Sequence, residues 1–139
     1  MKNSKFCIFS LMRSRFRAGI VASILLALAS CGGDTERIPS QQWQGMTIHV
    51  QSRPSPPQPG MNEFLVIATY KSGKPGYDLF VRLRTQDGDP WREAIEDGDE
   101  GVYRRAIYVP DTVDAVLQMK IKRNDAESIL RFPLRVETK

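Results

Sequence analysis

Two-residue alternation of apolar and polar side chains is the feature that most restricts how this chain can fold. In Met46–Ser52, Met46, Ile48 and Val50 interleave with Thr47, His49 and Gln51. Tyr77–Thr85 sets Leu79, Val81 and Leu83 against Asp78, Phe80, Arg82 and Arg84. Ala115–Lys122 sets Leu117, Met119 and Ile121 against Gln118, Lys120 and Lys122, and Ile129–Val136 puts Leu130, Phe132, Leu134 and Val136 on one side. Successive side chains of a strand point to opposite faces, so each segment reads as a half-buried strand; no segment sustains the 3.6-residue period of a helix. Two further strands are expected. Asn62–Tyr70 carries the run Phe64-Leu65-Val66-Ile67-Ala68, which suits a central position, and Tyr103–Val109 is stopped by Pro110. Six strands, or seven if part of Trp91–Ile95 pairs, predict an all-β antiparallel sandwich, with an open barrel of the same strands as the competing architecture. Trp91–Glu96 could instead form one helical turn. Pro133 assigns the last strand to an edge, and the four prolines of Arg53–Gly60 make that stretch a stiff connection rather than a strand.

The charge is unevenly placed. Of the 20 lysines and arginines, Lys2, Lys5, Arg13, Arg15 and Arg17 fall in residues 1–30, which hold no acid. From Cys31 onward 15 basic residues face 16 acidic ones, a net charge of −1. Behind the basic segment lies the apolar stretch Ala18–Ser30, too short to span the ~30 Å of a bilayer core but suited to the apolar region of an export signal. Residues 1–30 therefore read as a signal peptide, residues 31–44 as a polar tether on which only Trp43 invites packing, and residues 45–137 as the folded domain. A domain with no net positive charge offers no extended field for nucleic acid, so that partner is excluded.

Leu28-Ala29-Ser30-Cys31 resembles the lipobox of bacterial lipoproteins. The resemblance implies cleavage before Cys31, a diacylglycerol on its sulfur and, usually, an acyl chain such as palmitate on its new amino group. Several chains on one residue give a durable membrane anchor where one is marginal. Gly32 follows, rather than the aspartate that retains such proteins at the inner membrane, so the expected location is the outer membrane facing the periplasm. Cys7 would leave with the signal and Cys31 would carry lipid. The folded domain then has no thiol for a disulfide, a redox centre or a thiolate metal site.

A second resemblance lies in the domain. Pro56-Pro57-Gln58-Pro59-Gly60-Met61-Asn62, the turn Ser72-Gly73-Lys74-Pro75, the strand Asp78–Leu83 and Gly98-Asp99-Glu100-Gly101-Val102-Tyr103 resemble the YtkA-like and FixH-like domains of exported or membrane-bound bacterial proteins. That likeness implies an immunoglobulin-like sandwich, and some such relatives sit near copper handling and terminal-oxidase assembly. The present chain departs from the FixH-like form in having lipid where that form has a mature transmembrane helix.

Few residues offer catalytic chemistry. His49 is the only histidine, on the polar side of its strand, and no nucleophile elbow, phosphate-binding glycine loop or zinc-protease motif is present. The expectation is a protein that is not an enzyme. Copper(I) would draw on thioether and imidazole, and His49 with Met61 is the candidate pair, provided the proline loop folds one over the other. Met46 and Met119 have inward parity and read as core. The acidic stretch Asp87–Glu100 holds Asp87, Asp89, Asp97 and Asp99 in two Asp-Gly-Asp fragments that could bind calcium weakly; ordinary solvated turns explain them as well. Arg82 with Arg84, Lys120 with Lys122 and Arg131 with Arg135 form basic rows on strand faces. With Phe80 and Tyr108 these could dock an anionic partner or the acidic loop of a second copy; normal solvated sheet faces that discourage edge pairing account for them too. Arg105 shares the parity of Tyr103 and Ile107, which puts it at a sandwich rim, against a buried acid or at a bulge.

These readings converge on a lipid-anchored, non-catalytic envelope protein that acts as a binding or scaffold module, with a membrane on one side and an envelope protein as partner. The candidate surface comprises Arg53, Pro56, Pro57, Met61 and Asn62 of the proline loop with Trp91, Arg92 and the acidic turn. A copper-handling accessory protein or a weak calcium-binding module is the alternative.

Overall fold

The computed structural model describes residues 38–98 and 101–136. The expected signal peptide, Cys31 and Asp99 lie outside them. All described regular elements are strands: β1 (Gln41–Trp43), β2 (Met46–Arg53), β3 (Gly60–Tyr70), β4 (Phe80–Arg84), β5 (Arg92–Glu93), β6 (Ile95–Glu96), β7 (Val102–Val109), β8 (Val116–Arg123) and β9 (Ala126–Pro133). They form two antiparallel sheets, β1-β2-β3-β7-β6 and β5-β4-β8-β9. With β1 set aside, β2-β3-β7-β6 against β4-β8-β9 is the ABED/CFG order of immunoglobulin-type sandwiches, and β5 extends the second sheet. As the run of apolar residues implied, β3 is central, and β9 with Pro133 lies at an edge.

Alternation is realised as burial. Met46, Ile48 and Val50 of β2, Phe64, Val66 and Ala68 of β3, Tyr103, Ile107 and Val109 of β7, Val81 and Leu83 of β4, Leu117, Met119 and Ile121 of β8, and Phe132 of β9 fill the space between the sheets. Phe64 and Phe132 are its largest fully buried members. Side chains of this kind each contribute ~1.5–3 kcal/mol by leaving water, and in this sandwich such packing takes the place of a disulfide staple.

Among the described residues nine strands form where six or seven were expected. The first addition falls in the expected tether: Ile38 and Trp43 are buried in the core, and β1 pairs with β2 through a two-residue turn. Gln44 and Gly45 both have positive φ, 50° and 76°, the backbone of a type I′ hairpin. Two apolar side chains separated by polar ones carry no periodic signal, so only Gly45 hinted at the turn. The other additions are β5 and β6. Part of Trp91–Ile95 does pair, as the seven-strand reading allowed, and not as the alternative helical turn: in an extended crossing β5 pairs with β4, β6 pairs with β7, and buried Ala94 between them donates its N–H to the Val81 carbonyl at 2.9 Å.

The motifs around Gly76 and Gly101 close one end of the sandwich. Ala68 donates to the Gly101 carbonyl at 2.9 Å, and Gly76 donates to the Ala68 carbonyl at 2.8 Å. Gly101 has φ 79°, and a Cβ there would sit 2.9 Å from the Ala68 oxygen, so both conformation and space require glycine. Tyr103 accepts a hydrogen bond from the Leu79 N–H at 3.2 Å and donates its hydroxyl proton to the Gly76 carbonyl at 3.4 Å. Burial raises its pKa above the ordinary phenol value.

Candidate functional site: an arginine-lined cleft between the sheets

The other end of β7 is open. The chain leaves β4 through Thr85–Pro90, runs along β5 and crosses to β6, so the two sheets part on this side of the molecule. Between them lies a cleft of about 740 Å³, lined by Arg84, Arg92, Arg104 and Arg105, by Glu63 and Asp89, and by Met61, Ile95 and Tyr108 among others.

The four arginines differ in what already holds them. Arg84 donates to Gln118 Oε1 at 3.0 Å and to Asp87 at 3.0 Å, and its guanidinium stacks 4.3 Å from the Trp91 ring centroid. Arg104 pairs with Glu63 at 3.5 Å and with Asp97. Arg92 and Arg105 carry no ion pair among the described residues. Arg92 is exposed, whereas Arg105 is half-buried on the inward face of β7, cross-strand from Phe64. Arg105 therefore occupies the rim of the sandwich, one of the three settings its parity allowed, with neither a buried acid nor a bulge. Of the cleft's carboxylates, Glu63 is held between Arg53 and Arg104, each at 3.5 Å.

The residues singled out from the sequence divide into three groups. Met61 and Arg92 line the cleft, where the fold brings the proline-loop end of β3 beside β5. Pro57 and Asn62 are buried and serve the loop: Asn62 accepts from the Gln58 N–H at 3.0 Å and donates to the carbonyls of Gln58 and Gly60 at 2.7 and 2.9 Å. Pro56 is half-buried, and Arg53 is an exposed partner of Glu63. Trp91 lies on the outer face of the second sheet, with Lys120 5.0 Å from its ring centroid and Arg84 on it as well. The candidate surface is thus two surfaces, and only the cleft unites its separate segments.

The proposed metal ligands do not converge. His49 and Met61 share the outer face of the first sheet, but His49 lies opposite Ile67, six residues along β3 from Met61. At ~3.3 Å per residue that is about 20 Å, and Met61 belongs to the strand itself rather than to a loop able to fold back. Asp87 accepts hydrogen bonds from Arg84 at 3.0 Å and from Gln118 at 2.9 Å. Its carboxyl is held below the usual carboxylate value by the Gln118 hydrogen bond foremost, helped by the positive charges of Arg84 and Arg131. Asp97 is paired with Arg104, and Asp89 lines the cleft. Among the described residues no group of three or more histidine, cysteine, aspartate or glutamate side chains could hold a metal ion.

Sequence reading placed Arg84 and Tyr108 on possible docking faces but did not bring them together with Arg104 in one cleft, because that convergence depends on the long-range path of the chain through Ala94. One signal was present: a charge at Arg105 on an apolar parity. No family model matches the chain, and no curated protein or solved structure matches it.

Proposed function

We propose that the chain is a lipid-anchored, non-catalytic binding module of the bacterial envelope, held at the membrane through Cys31 and recognising an envelope protein with the cleft between its sheets. The observation that carries this reading is the half-buried Arg105, which lines the cleft with Arg92 on the opposite sheet, neither in an ion pair among the described residues. Removing a guanidinium from water without a partner is unfavourable, so a fold that keeps one at a cleft wall gains most when a ligand supplies the anion. The guanidinium forks of the cleft are suited to holding an anion, and Glu63 is already engaged by Arg104 and by Arg53. The lipobox-like Leu28-Ala29-Ser30-Cys31 supports the anchor, and the polar residues after it supply reach from the membrane.

Two measurements test the reading. In bacterial cells, a palmitate label should enter the full chain and disappear in Cys31→Ala, with loss of the protein from the membrane fraction. Photo-cross-linking groups placed at Met61 or Arg92 should capture a discrete envelope protein that groups placed at His49 or Ile129 do not. Equal labelling of Cys31→Ala removes the anchor. Capture that does not depend on position removes the cleft.

A further inference from the structure

The wall of the cleft formed by β7 is an unfinished sheet edge. On one side β7 pairs with β3 from Val102 to Val109. On the other, β6 covers only Tyr103 and Arg104, so among the described residues no strand is paired with this edge of Arg105–Val109, although β4 and β5 approach β7 across the cleft. Even-numbered residues present their backbone groups to this edge: the Val102 carbonyl accepts from the Asp97 N–H at 2.9 Å, and the Tyr108 carbonyl accepts from the Thr85 hydroxyl at 2.6 Å. The strand geometry therefore turns the Ala106 N–H and carbonyl and the Tyr108 N–H into the cleft. Ile95 of β6 marks one end of the open slot and Thr85 the other.

Side chains around the slot alternate in character. A strand added beside β7 would place one set of residues on the inward side, facing Arg105 and, across the cleft, Arg92. Its other set would fall on the outer face, beside Tyr108, Met61 and Ile95, which are 57%, 64% and 60% exposed. Large apolar side chains this exposed on one sheet face gain by being covered.

We infer that the cleft binds an extended acidic peptide segment by strand addition to the free edge of β7, its carboxylates meeting Arg105 and Arg92 and its alternate apolar residues covering Tyr108, Met61 and Ile95. The inference rests on the cleft being the binding surface and names what that surface binds. Main-chain hydrogen bonds to Ala106 and Tyr108 supply affinity, and the alternation of charge and apolarity supplies selection. The arginine forks match carboxylates two bonds at a time, which a lysine at either position would not.

The test uses the full chain in lipid nanodiscs and a display library of random peptides about eight residues long, long enough to fill the slot and extend beyond it. Selection should enrich acidic and apolar residues at alternate positions. The best peptide should bind at least tenfold more weakly to Arg105→Gln and to Arg92→Gln, while thermal unfolding of both variants stays at the wild-type temperature. Bound peptide should slow hydrogen exchange of the Ala106 and Tyr108 amides, and methylating its alternate backbone nitrogens should abolish binding. Enrichment without alternation, binding that survives N-methylation, or no enrichment at all overturns strand addition. If cross-linking from Met61 and Arg92 still captures a partner in that event, the cleft remains the binding surface and only its mode of recognition falls. If capture fails as well, both readings fall together.

Discussion

The two halves of β7 have opposite fates, although both belong to one strand. At Val102–Arg104 the strand is paired on both edges, Tyr103 is buried with its hydroxyl bonded to Leu79 and Gly76, and Gly101 fits beneath the Ala68 carbonyl with no room for a side chain. At Arg105–Val109 only β3 is paired with it among the described residues, and the inward position that would continue the apolar row holds an arginine. The first half is closed by internal contacts. The second keeps backbone groups and a guanidinium facing a cleft. A sheet edge left open is an aggregation hazard unless it is short or screened, and here Thr85, β6 and the arginines confine it to a few residues. The difference between the halves is what distinguishes a structural strand end from one available to a ligand.

Substitutions at the closed half should have the largest effects. Gly101→Ala combines a strained positive φ with a 2.9 Å approach to a carbonyl oxygen and should destabilise the domain by ~2–4 kcal/mol in denaturant unfolding. A loss below about 1 kcal/mol would mean that this end yields easily and that the contrast is overstated. Tyr103→Phe comes next, at ~1–3 kcal/mol, because it leaves the Leu79 N–H and the Gly76 carbonyl without the phenol. The same residue predicts an alkaline response. Its native pKa is raised by burial, so its contribution is complete below about pH 10 and is lost as the pH rises through the native value. Tyrosinate absorbance should show one phenol titrating above the others, and that component should vanish in Tyr103→Phe.

At the open half the expectation reverses. Arg105→Met removes a half-buried charge that has no ion pair among the described residues, so stability should stay within ~1 kcal/mol of wild type or rise, while peptide binding is lost. A loss beyond about 2 kcal/mol would show that Arg105 has a structural role like that of Tyr103, and the two halves would no longer differ in kind. The smallest effect belongs to Asp87. Its depressed pKa means that its contacts with Gln118 and Arg84 persist above the usual carboxylate range, about pH 4, and weaken as the pH falls through the native value. Acid titration followed by the side-chain amide signals of Gln118 should show this local change, with no shift in Asp87→Asn.

Much of the sandwich was legible because burial in a two-sheet fold imposes period two, and Leu79, Val81 and Leu83 or Leu117, Met119 and Ile121 display it without interruption. Even the edge position of Pro133 follows from one missing donor. β1 escaped, and β5 and β6 were legible only as one optional strand in Trp91–Ile95, because strands of two or three residues are too short to express a period. Ile38, Trp43 and Ala94 acquire their roles only from the partners waiting for them. The candidate site was legible at single residues, Met61, Arg92 and the out-of-place Arg105, but not as a site. His49 and Met61 show the converse: the same parity joined them on paper, and the register of β2 on β3 holds them about 20 Å apart.

The sequence by itself determined that this chain is all-β, since alternation and turn chemistry are local properties that every strand carries within it; that the strands form two packed sheets rather than an open barrel was decided by the sheet order. It also determined that the basic charge belongs to residues 1–30 and that Cys31 follows a lipobox-like stretch, because composition and motif need no fold to be read. Only the tertiary structure decided where the sheets part, which arginines meet there and which of them already have acids against them. Those facts depend on long-range register and on the crossing at Ala94, and no local pattern encodes a contact between residues forty positions apart.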